Sequence, residues 1–516
     1  MDKDYNNVLS YKESQMLTLC NSQEHKIAER SNYSFIRPTN SIYVDFTYEQ
    51  CLQANYIAFQ NTDYSSKWFF AWIDEVIYKG DKNCEIKYTV DSWSTWFDKW
   101  TKKPCYIIRE HVNDDTIGAN TLDENLNVGE IIEEGETEDL SYGSYKWVGV
   151  LTSHDPITGD KFPAPITVYN GNVMSKKLCL FEATDYSNLV NLGIFLLKTT
   201  RDDKDKDIDS IFFIPDVLID RSTLVLHSGT VLQQNLEFYT LPNNFDIKSF
   251  NTTITKQLSF SDYTPKNNKC FCYPYNYLFV SNNIGNSNIY KYENFLGNNC
   301  IFKNEVTMSI GCSGRIVPLN YKKMSRDDDE IIPLGKYPTI SWSSDTYINW
   351  LTQQAVNIPT QLISTAISVA GNIATGNVTG TVTNVASTIA NTIGSFYQAS
   401  LLPTVTHGQN TADINFLAGR NTFTFKKMRC KTENMRVIDD YFSRYGYAIR
   451  RVKEPNITGR TYWNYVEIAQ SDEIGNGTVP GTFMQSINNA CRKGVTIWHD
   501  HANIGNFNLN NTIVNP

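Results

Sequence analysis

A histidine pair near the end of the chain is the first cluster that could do chemistry. His499 and His501 flank Asp500 in an H-D-H triplet. On a β-strand, residues two apart point to the same face, so both imidazoles could ligate a metal ion such as zinc. A strand or turn that carries two histidines for structural reasons gives the same spacing. A structural turn is the interpretation that we favour.

Paired carboxylates give a second possibility, which is acid–base catalysis. Asp114 and Asp115 lie close to His111, and pairs of acidic residues carry out glycoside hydrolysis in many enzymes. The D-D-T-I-G run falls in a connection rich in glycine and asparagine, which favours a loop. The sequence has neither a G-x-x-x-x-G-K-[ST] phosphate loop nor an H-E-x-x-H zinc motif. We therefore predict a non-enzymatic protein without catalytic residues or a cofactor.

Two further clusters resemble metal sites and are better explained as structure. Residues 201–209 carry aspartates at calcium-loop spacing, but Ile208 replaces the turn glycine and Ile214 stands where a bidentate glutamate would close the site. Cys270 and Cys272 form a lone C-x-C, which we interpret as strand residues facing one way. The 11 cysteines lack paired C-x-x-C spacing, so we expect reduced, mostly buried thiols and no metal.

Composition points to a large, soluble and β-rich protein. The 516 residues allow two to four domains, with 41% hydrophobic and 20% charged residues. Aromatic residues at 13% favour strands, because flat rings pack well on a pleated sheet. A net charge of -9 argues against a broad basic face that grips DNA and suits a conduit that DNA passes through. The first residues lack a secretory signal, so we expect folding in a cytosol.

Alternation with a period of two residues marks the strands. In residues 84–90, the alternate positions Cys84, Ile86, Tyr88 and Val90 form one apolar face. Further strands are predicted at residues 42–46, 147–151, 208–214, 277–280, 422–428 and 462–468. No βαβ rhythm appears, which argues against a parallel α/β sheet. We predict a mainly β fold of the α+β class.

The most unusual segment is residues 346–412, which contain no Asp, Glu, Lys or Arg. These 67 residues include a single histidine, His407. At the chain's overall charged fraction of 20%, about 13 charges would be expected, each costing about 2.5–3.5 kcal/mol at the centre of a bilayer. Chance does not explain the absence, which makes insertion into a membrane possible.

The charge-free segment divides into two amphipathic arms. At about 100° per residue, the apolar residues of each arm fall on one side of a helical wheel, opposite Ser, Thr, Asn and Gln. Residues 375–377, Thr-Gly-Asn, can reverse the chain between the arms. A neutral polar face is typical of helices that line a shared pore or pack on copies of themselves. The residues predicted to contact a membrane are Ile358, Leu362, Ile363, Ile367, Val369, Ile373, Val378, Val382, Val385, Ile389, Ile393 and Phe396.

Composition alone leaves three interpretations of residues 346–412 open. They could form a helical hairpin that enters a membrane, a helical bundle that only holds an oligomer together, or a disordered linker. The segment is too polar for a lone spanning helix, which needs about 20 mainly apolar residues. Composition does not decide between these three interpretations.

Several long runs of the sequence are distinctive: A-N-Y-I-A-F-Q-N from residue 54, K-W-F-F-A-W-I from 67, E-I-K-Y-T-V-D-S-W from 85, E-H-V-N-D-D-T-I-G-A-N-T from 110, Y-P-Y-N-Y-L from 273, D-Y-F-S-R-Y-G-Y from 440 and G-V-T-I-W-H-D from 494. These runs resemble the distal tail knob proteins of small short-tailed phages of the Salasmaviridae and Picovirinae type. They occur in the family's order and cover most of the chain, so together they are specific.

The resemblance implies a ring-forming homohexamer with β-barrel-like tube domains at the distal end of the virion tail. It implies that long hydrophobic loops plug the lumen and are released on infection, forming a channel for viral DNA in the host cytoplasmic membrane. Implied partners are the proximal tail tube or collar protein, a tail-tip lytic protein, that membrane, and DNA in transit without specific binding. The expected segments are a β-rich tube domain (1–155), a β-rich middle region (156–345), the charge-free loop (346–412) and a β-rich C-terminal segment (413–516).

The alternative function is a tail spike or adhesin that binds the host surface, with or without wall-degrading activity. Such a protein would use residues 346–412 only for assembly. Against it, the sequence shows no repeat of the β-helix type. In its favour, exposed loops of a tail tip can contact a host without leaving a motif.

Overall fold

The described residues of the computed structural model form two compact units. The model describes residues 7–36, 39–141, 145–163, 167–169, 172–174, 176–182, 186–202, 204, 207–242, 250–282, 286–309, 311–321, 337–342 and 422–514. The first unit combines Met1–Ile131, Ser259–Tyr275 and Cys430–Pro516, and the second combines Ile132–Leu258 and Asn276–Arg429. Each unit is therefore assembled from segments that are far apart in the sequence. The division into residues 1–155, 156–345, 346–412 and 413–516 stays a prediction.

Strands and a few helices alternate along the described chain. The strands are β1 (Asn7–Leu9), β2 (Tyr33–Ile36), β3 (Ser41–Val44), β4 (Tyr56–Asn61), β5 (Lys67–Gly80), β6 (Asn83–Val90), β7 (Trp100–Lys102), β8 (Cys105–Glu110), β9 (Ile131–Glu133), β10 (Glu138–Ser141), β11 (Tyr145–Thr152), β12 (Thr167–Tyr169), β13 (Asn172–Met174), β14 (Lys177–Glu182), β15 (Ile208–Pro215), β16 (Val225–Val231), β17 (Gln234–Thr240), β18 (Phe250–Thr255), β19 (Asn276–Ser281), β20 (Ser287–Tyr290), β21 (Asn299–Ser309), β22 (Gly311–Pro318), β23 (Thr339–Trp342), β24 (Thr422–Cys430), β25 (Tyr447–Lys453), β26 (Trp463–Ile468), β27 (Gly475–Gly477) and β28 (Val495–Trp498). The helices are α1 (Glu13–Cys20), α2 (Tyr48–Leu52), α3 (Ser92–Trp96), α4 (Tyr186–Arg201), α5 (Thr432–Tyr445) and α6 (Gly481–Lys493).

The first unit contains two five-stranded sheets. Their strand orders are β1-β28-β26-β8-β25 and β2-β3-β6-β5-β4, and β7 pairs with β27 in a smaller sheet. The β1–β28 pair is parallel, whereas the other pairs in these sheets are antiparallel. The first sheet joins strands from both ends of the chain, so it can close only after the last segment has folded.

The strand predicted for residues 84–90 is confirmed as β6, although Glu85, which the alternation places on the opposite face, is also buried. Cys84, Ile86 and Tyr88 are buried in the core of the first unit. Helices α5 and α6 cover this core with residues spaced three or four apart, as amphipathic helices do. The buried residues of these two helices that belong to the core cluster are Met435, Ile438, Phe442, Met484, Ile487 and Cys491. The core therefore lies between sheets and the inner faces of two helices.

The second unit consists mainly of antiparallel sheets. Their orders are β15-β11-β14-β17-β16, β18-β21-β22-β23 and β10-β24-β19-β20, with β9 also pairing with β24 and β12 with β13. Helix α4 packs on β14, β16 and β17. Strands predicted at residues 147–151, 208–214, 277–280 and 422–428 are confirmed as β11, β15, β19 and β24. In the first unit, those at 42–46 and 462–468 are likewise confirmed, as β3 and β26.

Strand β24 is held in the second unit by buried rings and by ion pairs. Phe423 and Phe425 are buried among the strands of this unit. The Nε atom of Arg429 lies 2.6 Å from a carboxylate oxygen of Glu134, and only 2% of the Arg429 side chain is exposed. The Nζ atom of Lys426 lies 3.0 Å from a carboxylate oxygen of Glu133, but the Lys426 side chain is 37% exposed. The two pairs therefore differ mainly in burial.

We predict that Arg429→Ala lowers the free energy of unfolding of the second unit by about 3–5 kcal/mol, because it removes a buried positive charge beside the Glu134 carboxylate, whose side chain is only 13% exposed. Lys426→Ala is the matched control and should cost at most about 1 kcal/mol, because water screens the exposed pair. Urea unfolding followed by tryptophan fluorescence measures both. Equal unfolding midpoints for the two variants would contradict the role given to the buried pair.

Candidate functional site

The residues predicted to contact a membrane, from Ile358 to Phe396, lie outside the described residues. In the part of the chain that the structure does describe, no helix is long and apolar enough to cross a bilayer. The role of residues 346–412 therefore stays a prediction. The structure shows where the segment is inserted, which is between β23, at the edge of one sheet of the second unit, and β24, inside another.

The H-D-H triplet forms a turn, as predicted. It follows the end of β28, and Asp500 caps a short 3-10 turn. The Nε2 atom of His499 lies 3.0 Å from the Oδ1 atom of Asn464. His501 instead pairs with the hydroxyl of Tyr11. The two imidazoles therefore have different partners.

His111 is buried and hydrogen-bonded through both ring nitrogens. Its Nδ1 atom accepts a hydrogen bond from the backbone N–H of Tyr465 at 2.9 Å, so Nε2 carries the proton and donates to the carbonyl of Ser443 at 3.0 Å. Burial, with a smaller contribution from the Arg460 charge, lowers the pKa of His111 to about 3. The ring is neutral at physiological pH, and it joins β26 to α5.

Asp114 and Asp115 have separate structural partners. Asp114 is exposed, and its Oδ1 atom accepts a hydrogen bond from the backbone N–H of Thr116 at 2.9 Å. Asp115 accepts hydrogen bonds from the backbone N–H of Asn268, at 3.1 Å, and from the hydroxyl of Tyr447. Burial raises the pKa of Asp115, although these hydrogen bonds oppose the rise. Residues 111–130 contain neither helix nor strand, so the predicted loop is confirmed.

The strand predicted at Cys270 and Cys272 is wrong. Asn268–Phe271 forms a 3-10 helix, and both thiols are buried. The reason is Asp439, whose Oδ1 atom accepts a hydrogen bond from the backbone N–H of Asn267 at 3.0 Å and fixes a turn there. The cysteines with described side chains are free, and all but the half-buried Cys20 are buried, as expected.

The calcium-like loop at residues 201–209 lies partly outside the described residues, which omit Asp203 and Asp205. The backbone carbonyl of Asp207 accepts a hydrogen bond from the N–H of Ser153 at 3.1 Å. Across the described ranges, no group of three or more His, Cys, Asp or Glu side chains is placed to hold a metal ion.

A buried charge cluster that the sequence did not reveal joins all three segments of the first unit. The Glu124 side chain is fully buried and pairs with Arg109 and with Lys269, which is 2% exposed. A Glu124 oxygen also accepts a hydrogen bond from the backbone N–H of Ala448 at 2.9 Å. Burial lowers the pKa of Lys269, and the Glu124 charge opposes this. Nothing near Glu124 in the sequence distinguishes it from an exposed loop residue.

Asp439 forms a second buried cluster in the same unit. Its carboxylate accepts hydrogen bonds from the hydroxyl of Tyr263 at 2.7 Å and from the backbone N–H of Lys266 at 2.8 Å. Asn267 donates to it twice, from its backbone N–H at 3.0 Å and from its side-chain amide at 2.8 Å. Asp439 therefore holds Ser259–Tyr275 against α5. Like Glu124, it has all its described partners within the protein, which is typical of a structural group.

Comparison with known proteins gives these clusters a context. Residues 237–512, more than half of the chain, match the family described as Bacillus phage phi29, Tail knob protein gp9, C-terminal domain. The chain belongs to this tail knob family. Residues 1–101 match a second family, described as Caudoviral major tail protein N-terminus.

Relatives in the tail knob family align along nearly the whole chain. Tail knob protein gp9 of Bacillus phage phi29 is 23% identical, over 95% of this chain and 93% of its own length. The same protein of Bacillus phage PZA is 24% identical, over 94% and 90%. The structure of the bacteriophage C1 tail knob protein, gp12, has the same fold, with a TM-score of 0.59, 15% identity and 99% and 98% coverage.

These matches confirm the predicted resemblance and the mainly β fold. The chain is a structural tail knob protein located in the tail of the virion. The proteins that it matches are tail components, which agrees with a structural role for His111, Asp115, Glu124 and Asp439.

We predict that Asp439→Asn destabilises the first unit by about 3 kcal/mol. The substitution replaces one carboxylate oxygen by an NH2 group, which cannot accept the hydrogen bonds that the surrounding N–H groups donate. Asp440→Asn, at the exposed neighbouring position, should change stability by less than about 0.5 kcal/mol. Differential scanning calorimetry of both variants checks this. A normal unfolding temperature for Asp439→Asn would rule out the role proposed for this carboxylate.

A second prediction concerns acid. The pKa of His111 is near 6.5 in the unfolded chain and about 3 in the fold, so below pH 6.5 only the unfolded state takes up a proton there. The contribution of neutral His111 to the free energy of unfolding is fully present above pH 6.5 and decreases as the pH falls toward 3. Between pH 7 and 5 the loss should be about 2 kcal/mol. His111→Asn keeps an acceptor for Tyr465 and should lack this loss.

Urea midpoints at pH 7 and pH 5 provide the measurement. The exposed His25→Asn variant is the control and should retain the full acid sensitivity of the wild type. If His111→Asn loses as much stability as wild type over this range, His111 does not stay neutral in the fold.

Proposed function

We propose that this protein forms the distal tail tube as a ring-shaped homohexamer, and that residues 346–412 plug its lumen and are released on infection. After release, they form a channel in the host cytoplasmic membrane through which viral DNA passes. The observation that carries the proposal is a run of 67 residues without Asp, Glu, Lys or Arg. Membership of the tail knob family supports the location at the tail tip.

The physics of a lipid environment explains why this composition matters. A bilayer has no water to solvate a charged group, so each charge in the segment would cost several kcal/mol, about 2.5–3.5 at the bilayer centre. Neutral Ser, Thr, Asn and Gln side chains can instead hydrogen-bond across neighbouring helices. Several copies of the two arms, with apolar faces toward lipid and neutral faces toward each other, would enclose an aqueous path.

The rest of the chain suits a tube through which DNA moves. The net charge of -9 disfavours tight binding to phosphates, so DNA could slide without being held. The match of residues 1–101 to a major tail protein N-terminus supports a contact between this end of the chain and the tail tube or collar. A lytic protein at the tail tip would complete the set of partners.

Dye release from liposomes tests the membrane step. Purified wild-type protein should release dye, and a variant that lacks residues 355–402 should not. Ile367→Lys places a charge on the apolar face and should reduce release by about tenfold, since burying a charge in lipid is costly. Ile367→Leu changes the same position without adding a charge and is the matched control, with release close to wild type.

Two results would overturn the proposal. Equal release by wild type and by the variant lacking residues 355–402 would show that the segment is not the membrane-active part. Electron images of the isolated protein that show a monomer or a trimeric spike, in place of a six-fold ring, would favour the host-binding alternative. Host binding or sugar release from purified walls that survives the deletion would point the same way.

A further inference from the structure

Two buried thiols of the first unit lie side by side. Cys51 belongs to α2 and is 3% exposed, and Cys84 belongs to β6 and is fully buried. Helix α2 packs directly on β5 and β6, and Cys84 lies close enough to Cys51 to contribute to the raised pKa of the Cys51 thiol. The Sγ atom of Cys84 also donates a hydrogen bond to the carbonyl of Phe46 at 3.5 Å. The two sulfur atoms are therefore neighbours in one core.

Local structure fixes this arrangement. Cys84 is the cross-strand partner of Val44, near the end of β3. Three residues later, Thr47 caps α2, and its hydroxyl accepts a hydrogen bond from the backbone N–H of Gln50 at 3.3 Å. The cap turns the chain back over its own sheet, so Cys51 on the inner side of α2 comes to lie against Cys84.

Helix α2 is well suited to local opening. It has only five residues, and Glu49, Gln50 and Leu52 on its outer side are exposed. A single helical turn adds little stability of its own, so it can open while the sheet below remains folded. In the closed state, burial beside Cys84 raises the pKa of the Cys51 thiol to about 12. In the closed state, Cys51 is therefore almost entirely in the unreactive thiol form at neutral pH.

We propose that Cys51 and Cys84 are a covalent modification site, which is oxidised to an intramolecular disulfide in the released virion and joins α2 to its sheet. The reason is a change of compartment: a tail protein folds in a reducing cytosol and then leaves it in the particle. The structure supplies adjacent sulfur atoms and a short helix through which an oxidant can reach them.

The chemistry needs a small-molecule disulfide, such as oxidised glutathione, as the oxidant. With α2 open, the Cys51 thiolate attacks one sulfur of that disulfide, and the other sulfur leaves as a thiolate. When α2 closes, the Cys84 thiolate attacks Sγ of Cys51 and displaces the second small thiol. Cys51 and Cys84 together lose two electrons and two protons, and the small disulfide is reduced to two thiols.

Cys105 and Cys491 provide an internal reference. Both are buried in the same core, and the Cys491 thiol has its pKa raised by burial and by the nearby Cys105. They belong to the interior strand β8 and to the 13-residue helix α6, neither of which is a single exposed turn. These thiols should stay reduced under conditions that oxidise the α2 pair.

Differential alkylation of the wild-type chain tests the proposal without any variant. Three samples are compared: protein kept reduced, protein treated with oxidised glutathione, and released phage particles. Each sample is denatured with N-ethylmaleimide, then reduced, treated with iodoacetamide and mapped by mass spectrometry. Cys51 and Cys84 should carry maleimide in the reduced sample and mostly the iodoacetamide label in the other two. If the reduction step is omitted, the peptides that contain Cys51 and Cys84 should be found cross-linked to each other in the glutathione-treated protein and in the particles. Cys105 and Cys491 should carry maleimide throughout.

The proposal is overturned if Cys51 and Cys84 carry maleimide in glutathione-treated protein and in particles. It is also overturned if each carries glutathione and no cross-linked peptide forms. As a second check, Cys84→Ala should trap glutathione on Cys51 after oxidation, whereas Cys491→Ala should leave the cross-link at wild-type yield. Loss of the cross-link in Cys491→Ala would mean that it depends on the general integrity of the core and not on the α2 pair.

Discussion

Buried carboxylates hold together the three segments of the first unit. Glu124 comes from Met1–Ile131 and contacts Lys269 from Ser259–Tyr275 and the backbone of Ala448 from Cys430–Pro516. Asp439 makes a similar connection between the last two of these segments. A buried carboxylate without partners is very unfavourable, so each becomes stable only when the segments are in place together. The charge clusters thus couple parts of the chain that are joined by no short connection.

This arrangement allows a long insertion elsewhere. The described cores of the second unit are made by strands that precede β23 and by β24, and residues 343–421 lie between β23 and β24 in the sequence. Strand β24 brings its own stabilising contacts, namely the buried rings of Phe423 and Phe425 and the Arg429–Glu134 pair. The charge-free residues 346–412 fall within this insertion.

Short-range patterns predicted several strands, because the apolar residues Cys84, Ile86 and Tyr88 of β6 form one face and that face is buried. The inner face of α5, with Met435, Ile438 and Phe442, carries a helical spacing that could have been recognised in the same way. The turn at Cys270 could not be predicted, since Asp439, which fixes it, is far away in the sequence. The burial of Glu124 is hidden for the same reason, and the residues around it are those of an ordinary polar loop.

The chain shows two patterns of charge: carboxylates buried among fixed donors in the first unit, and a long segment that has no Asp, Glu, Lys or Arg. Glu124 and Asp439 keep a buried carboxylate because fixed donors surround it. That solution works only where the surroundings do not change, since removing the partners leaves an uncompensated charge. Under the proposed function, residues 346–412 move from the interior of a tube to a lipid bilayer and exchange all their neighbours, so no set of paired charges would serve both states. Omitting Asp, Glu, Lys and Arg, as residues 346–412 do, is the composition that tolerates both.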